Sequence, residues 1–323
     1  MEHARLGASG LSVSRVGLGC NNLGRRGTVT EHQEGATALV HAALDAGITF
    51  FDTANSYGPG VSEVLLGEAL KGRRDDIVLA TKFGMKAPDD DGPDFGARGS
   101  RRHIKQSVEH SLRRLQTDRI DLYQYHTPDD ETPIDETVAA MDDLVREGKV
   151  LYIGHSNLAG WQIADAAHVA GSLGGAQFVS AQNHYNLLDR RAELEVLPAA
   201  EHFGLGVIPY FPLANGLLTG KYSDGVAPEG SRLTLTRQHL LKDEETLATL
   251  KRFGDFARAR DLTELQVAFS WLASRGPVAS VIAGATTPEQ IRQNAEAIAW
   301  VPSVEDEAEL DELFPPVPKV ALF

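Results

Sequence analysis

Eight apolar runs of strand length alternate with longer stretches in which apolar residues recur at helical spacing, and few folds accommodate that order. The runs are Arg15–Gly19, Ile48–Asp52, Ile77–Lys82, Ile120–His126, Val150–His155, Phe178–Asn183, Gly206–Tyr210 and Val278–Ala283. Between the first two, Ala36, Leu39, Val40, Ala43 and Leu44 fall on one helical face and Gly47 supplies a stop. Another helix is expected to begin at Ser100 and to bury Ile104, Val108, Leu112 and Leu115. Near-continuous apolar strands, each followed by a helix, describe a parallel sheet covered by helices on its outer face, and eight such units close a barrel. The expected fold is therefore α/β, a (β/α)8 TIM barrel forming a single domain over residues 1–323. A short N-terminal hairpin should turn at Gly7-Ala8-Ser9-Gly10, and a long polar loop, 214–243, should follow strand seven.

The main rival is an open doubly wound sheet, which announces itself by a glycine-rich dinucleotide turn after the first strand. Gly17-Leu18-Gly19 starts such a turn, but Asn22 stands where the third glycine belongs, and Gly24-Arg25-Arg26-Gly27 reads as loop. Length alone, 323 residues, would allow two domains, yet no linker or internal repeat divides the chain. The net charge of −14 repels nucleic acid and anionic lipid, so an anionic ligand needs a local positive pocket. The single cysteine, Cys20, allows neither an intrachain disulfide nor a cluster of thiolate ligands, which suits a reducing compartment. No apolar signal segment opens the chain and no run of 18 apolar residues occurs, so a cytoplasmic protein without a membrane span is expected. The histidines are scattered without ligand spacing, and no metal is expected.

In a barrel the reactive groups sit at the C-terminal ends of the strands. Asp52 ends the second apolar run with Tyr57 just beyond it, Lys82 ends the third and His126 the fourth, so these four would share one rim. An ionisable group there loses solvation and needs an opposite charge, a requirement that Asp52 and Lys82 meet in each other. A phenol ordinarily titrates near about 10, and an adjacent ammonium favours its phenolate. Lys82 is thus expected to sharpen Tyr57 as a proton donor while a neutral His126 donates a hydrogen bond to a carbonyl oxygen. This is carbonyl chemistry without a metal. The same residues also fit a purely structural ion-pair network at the rim.

The segments FDTANSYGPGVSEVLLGEAL, ATKFG, DLYQYH, GHSN, AQNHYN and PLANGLLTGKY, each at the end of an expected strand and together spanning about Gly17 to Asn294, resemble the aldo-keto reductase superfamily. The resemblance implies a (β/α)8 barrel that binds NADP(H), ahead of NAD(H), without a Rossmann domain. It implies reversible reduction of an aldehyde or ketone, with Tyr57 as general acid, Lys82 lowering its pKa, Asp52 paired with Lys82 and His126 orienting the carbonyl. By the same resemblance Ser156, Asn157 and Gln182 hold the nicotinamide carboxamide and Tyr210 supports its ring. Leu213, Gly216 and Lys221 would lie by the pyrophosphate, and Gly284, Gln290 and Asn294 by the adenosine end. Many relatives grip the 2′-phosphate with Lys and Arg where this chain has Gly284 and Gln290, and Arg232 in the long loop is the candidate substitute.

Structural roles stand beside several of these. Ser156 and Asn157 precede a helix and suit caps, and Thr287-Pro288-Glu289-Gln290 reads as a capping box with proline at the first helical position. Tyr210 also reads as an aromatic lining the barrel mouth and Lys221 as a surface lysine. His184 is assigned a structural role outside the site, and Cys20 that of a small filler. Two other functions use the same chain: a cofactor-binding redox sensor or interaction protein with weak turnover, and a barrel lyase forming a Schiff base on Lys82. Asp52 counts against the lyase, because a carboxylate partner favours the unreactive ammonium. The substrate is expected to be a small molecule whose identity the fold does not choose.

Overall fold

A computed structural model describes residues 1–87, 96–222 and 243–319. Strands β1 (His3–Arg5) and β2 (Ser12–Ser14) pair antiparallel as the N-terminal hairpin. The barrel strands follow: β3 (Val16–Gly19), β4 (Phe50–Asp52), β5 (Val78–Phe83), β6 (Ile120–Tyr125), β7 (Val150–Ser156), β8 (Phe178–Gln182), β9 (Gly206–Val207) and β10 (Val281–Ala283). All eight are parallel; each of β3 to β8 pairs with the next in sequence, and β10 returns to β3. The circle closes at a parallel bridge between Val207 and Val278.

Between the strands run α1 (Gln33–Asp45), α2 (Val61–Ala69), α3 (Arg101–Leu115), α4 (Ile134–Arg146), α5 (Gly160–Leu173) and α6 (Val196–Phe203), and then α7 (Glu244–Arg258), α8 (Glu264–Ala273) and α9 (Pro288–Ala295). The expected helix faces are the buried ones: Ala36, Leu39, Val40 and Ala43 on α1, and Ile104, Val108, Leu112 and Leu115 on α3. Ser100 caps α3, its hydroxyl accepting from the His103 amide. The acidic helix α10 (Val304–Leu313) lies on the exterior, where Arg190 pairs with Asp311 at 2.5 Å, Arg260 with Asp306 at 2.6 Å, and Arg275 with Glu307.

Two strands, β9 and β10, fall three residues short of their apolar runs. β9 stops at Val207 because Pro209 has no amide to donate, although Ile208 and Tyr210 still donate to Ala181 and Asn183 of the neighbouring strand segment. β10 begins at Val281, the residues before it serving the closing bridge. The large core between sheet and helices is apolar. A second core inside the barrel joins Phe50, Ala80, Leu122, Ile208, Ala279 and Ile282 to Leu6 and Val13, so the hairpin plugs the lower end. No described helix is long and apolar enough to cross a membrane. After β9 the described part of the long loop is a 3-10 turn over Ala214–Thr219; Arg232 lies outside the described residues.

Candidate active site

Period-two alternation puts Asp52, Lys82, Gln124 and Gln182 on the inward faces of β4, β5, β6 and β8, each two residues above an inward residue of the lower layer. Lys82 is fully buried and Asp52 is 3% exposed, so each needs the other. Lys82 Nζ donates to Asp52 Oδ2 at 2.6 Å, to the Thr53 carbonyl at 2.8 Å and to the Tyr57 hydroxyl at 3.4 Å. Those are all three donors of an ammonium. The other carboxylate oxygen, Oδ1, accepts from Gln124 and from Gln182, both at 3.0 Å.

Tyr57 stands on the turn after β4, its amide bonded to the Ala54 carbonyl. The helix that follows is pinned to the strand ends. Ser62 Oγ bonds the Cys20 carbonyl at 2.8 Å and the Thr53 hydroxyl at 2.9 Å. Buried Glu63 accepts from Thr81 at 2.5 Å and Arg114 at 2.7 Å. The His126 ring meets Tyr57 edge-on, with centroids 5.9 Å apart at 81°. Phenol, ammonium, carboxylate and imidazole thus share one rim.

Their electrostatics follow from burial and mutual charge. Burial alone would push Lys82 down, but Asp52 and then Tyr57 outweigh it, and Lys82 titrates above its ordinary value. Burial pushes the Tyr57 phenol up, the nearby ammonium of Lys82 pulls it down, and the net direction is upward. Lys82 thus acts on the phenol in the downward direction, against a larger desolvation. Burial and then the charge of Lys82 depress His126 to about 3, so it is a neutral imidazole at ordinary pH. Such a set can donate a proton from a phenol and a hydrogen bond from a neutral ring toward one point.

The residues expected around a nicotinamide form one connected chain. Ser156 Oγ donates to the Gln182 carbonyl at 2.7 Å, and the Asn157 amide donates to Ser156 Oγ at 3.1 Å and to the His126 carbonyl at 2.9 Å. The Tyr210 hydroxyl donates to Asn157 Oδ1 at 2.8 Å. Asn157 holds φ +61°, a left-handed conformation that asparagine tolerates better than most residues. Hydroxyl and amide groups beside an aromatic ring suit a carboxamide-bearing heterocycle. Farther along, Gly216 at φ +97° admits Lys221, whose Nζ is 3.0 Å from where a Cβ would stand. Leu213, Gly216 and Lys221 therefore come together, a glycine and a lysine of the kind that suits phosphate.

The adenosine-end candidates are engaged with the protein itself. A Cβ at Gly284 would stand 2.8 Å from Asn22 Nδ2, which donates to the Ala285 carbonyl at 3.3 Å. Gln290 Oε1 accepts from the Thr286 amide at 2.8 Å, and Thr287 Oγ1 caps the helix by accepting from the Gln290 amide. Asn294 is buried on α9. Cys20, also buried, has a thiol pushed up by desolvation, in keeping with a filler. Among the described residues no group of three metal-ligating side chains exists.

Sequence reading passed over Gln124 and set His184 outside the site. Gln124 was signalled only by its register opposite Lys82, which pairing reveals. His184 stacks on Tyr210, 26 positions away, with ring centroids 5.4 Å apart.

The aldo/keto reductase family model matches residues 15–314. An uncharacterized oxidoreductase, YrpG, of Bacillus subtilis is 40% identical over 98% of this chain and 96% of its own length. Proteins named probable voltage-gated potassium channel subunit beta from Oryza sativa and Arabidopsis thaliana are 37% and 35% identical, each over 94% of this chain and 92% of their own. With the closed eight-stranded barrel and this extent of match, the chain is an oxidoreductase of the aldo/keto reductase family.

Proposed function

We propose that this chain, acting as one domain, reversibly reduces a small-molecule aldehyde or ketone to the alcohol with a nicotinamide cofactor, NADP(H) ahead of NAD(H). The observation that carries the reading is the Lys82 ammonium, buried among Asp52, the Thr53 carbonyl and the Tyr57 hydroxyl. Bound beside Tyr210, the nicotinamide would supply the hydride. Tyr57 delivers its phenolic proton to the carbonyl oxygen, and the phenolate left behind is stabilised by Lys82. His126, neutral, donates a hydrogen bond to the same oxygen and fixes its direction. Asp52 keeps Lys82 charged, while Gln124 and Gln182 hold Asp52. Ser156, Asn157 and Gln182 would hold the carboxamide, and Gly216 and Lys221 the pyrophosphate. The preference for NADP(H) leans on the family; Arg25, which donates to Asn22 Oδ1 at 3.4 Å in the turn after β3, offers a guanidinium near the end of β10, where Asn22 bonds the Ala285 carbonyl.

A second reading is supported by relatives whose names assign them to potassium channels: a cofactor-binding sensor or subunit that turns over slowly. The Schiff-base lyase is disfavoured, since Lys82 Nζ has all its protons engaged. Oxidation of NADPH and of NADH with a panel of aldehydes and ketones, run on wild type and Tyr57→Phe, tests the proposal. Consumption by wild type alone supports the reductase; cofactor binding without turnover of any panel member favours the sensor.

A further inference from the structure

The Tyr210 ring has a built support. His184 lies flat against it, with centroids 5.4 Å apart and planes 8° from parallel. The stack begins in the backbone, where His184 and Tyr210 form a parallel bridge and the Tyr210 amide donates to the Asn183 carbonyl at 3.1 Å. Both imidazole nitrogens are held. Nδ1 is 3.0 Å from Asp189 Oδ2, and Nε2 is 3.2 Å from the Asn186 amide nitrogen. An amide N–H only donates, so Nε2 accepts and the ring proton sits on Nδ1, facing Asp189.

The two supports are themselves fixed. Asn186 also donates to the Phe211 carbonyl at 2.9 Å, and Asp189 accepts from Arg191 at 2.5 Å. Phe211 meets His184 and Tyr210 edge-on, at 5.6 Å and 5.2 Å. One face, one edge and the hydroxyl of Tyr210 are therefore committed to His184, Phe211 and Asn157. A ring constrained at three places has a fixed tilt, which is what a stacking surface for a planar ligand requires.

We propose that His184 is a positioning residue for the nicotinamide ring: by covering one face of Tyr210 it fixes the plane on which the cofactor stacks at the other. The inference rests on the functional reading above. It predicts that His184 acts on the nicotinamide half of the cofactor and leaves the adenosine half alone.

The test measures binding of NADPH and of 2′,5′-ADP, which lacks the nicotinamide, by fluorescence titration and calorimetry, with melting temperature recorded for each variant. His184→Ala should weaken NADPH about 3- to 10-fold, the size of an aromatic stacking contribution, with 2′,5′-ADP unchanged. His184→Phe, and independently His184→Tyr, should restore NADPH binding by restoring the stack. Unchanged NADPH affinity in His184→Ala overturns the proposal, as does parallel loss of both ligands or failure of both folded aromatic variants to restore binding. A wild-type chain that binds neither NADPH nor NADH overturns the functional reading itself, before His184 is varied.

Discussion

Two layers of the barrel interior use the same strands two residues apart and opposite chemistry. Phe50, Ala80 and Leu122 make an apolar layer closed by Leu6 and Val13; directly above them Asp52, Lys82 and Gln124, with Gln182, make a charged and amide layer. The lower layer stabilises through area removed from water, about 25 cal/mol per Å². The upper layer desolvates two charges and recovers that cost only because every group in it is bonded to another. Stability alone would extend the apolar layer upward, and the charge fits the chemistry proposed for the rim.

The largest effect should come from the proposed proton donor. Tyr57→Phe removes the phenolic hydroxyl, so carbonyl reduction should fall about 10²- to 10⁴-fold with cofactor affinity unchanged, and melting should drop only by the loss of one acceptor for the Lys82 ammonium. Near-wild-type turnover in that variant would take Tyr57 out of its role. Next, Lys82→Met strands a buried carboxylate, and urea unfolding should show a loss of about 3–5 kcal/mol. Phe50→Ala, one layer down, should lose a similar amount by opening a cavity. The comparison sharpens on the second substitution: adding Asp52→Leu to Lys82→Met should recover much of the stability and none of the activity. If the double variant is no more stable than the single one, the pair is not the self-compensating unit described above.

A smaller effect separates the rim from the outer core. Burial holds both His126 and His155 down at about 3, with Lys82 adding to it at His126. Unfolded, each takes up a proton near its ordinary value of about 6.5. Between those values the unfolded chain binds more protons, so this stability is full above about pH 6.5 and is lost as pH falls toward 3, by up to about 1.4 kcal/mol per unit per histidine. His155 packs edge-on against Phe178, 5.2 Å away. His155→Phe should flatten the acid side of the stability curve and leave turnover alone, whereas His126→Phe should alter both. Equal effects on turnover would erase the distinction between the two positions.

The barrel was legible because parallel strands buried on both faces read as uninterrupted apolar runs. The four polar residues that end or follow three of those runs lie on one rim for the same reason. What the sequence left outside the site depends on relations between strands. Gln124 is one polar residue among several in Asp-Leu-Tyr-Gln-Tyr-His until register sets it level with Lys82. His184 looks isolated until the chain returns with Tyr210. The direction of the Tyr57 shift is a balance between desolvation and charge, and only the folded environment weighs them.

The smallest prediction concerns the far rim, where the comparison is between polar groups that serve the protein and those open to a ligand. Gln290 folds its side chain back onto Thr286, and Thr287 caps the same helix. Thr287→Ala should cost about 1 kcal/mol, as loss of an N-cap commonly does. Gln290→Ala forfeits hydrogen bonds of about the same worth, and because its carbonyl oxygen is already engaged, NADPH affinity should not change. A fall in affinity without a fall in stability would reverse the assignment, returning Gln290 to the cofactor and leaving the cap to Thr287 and Pro288.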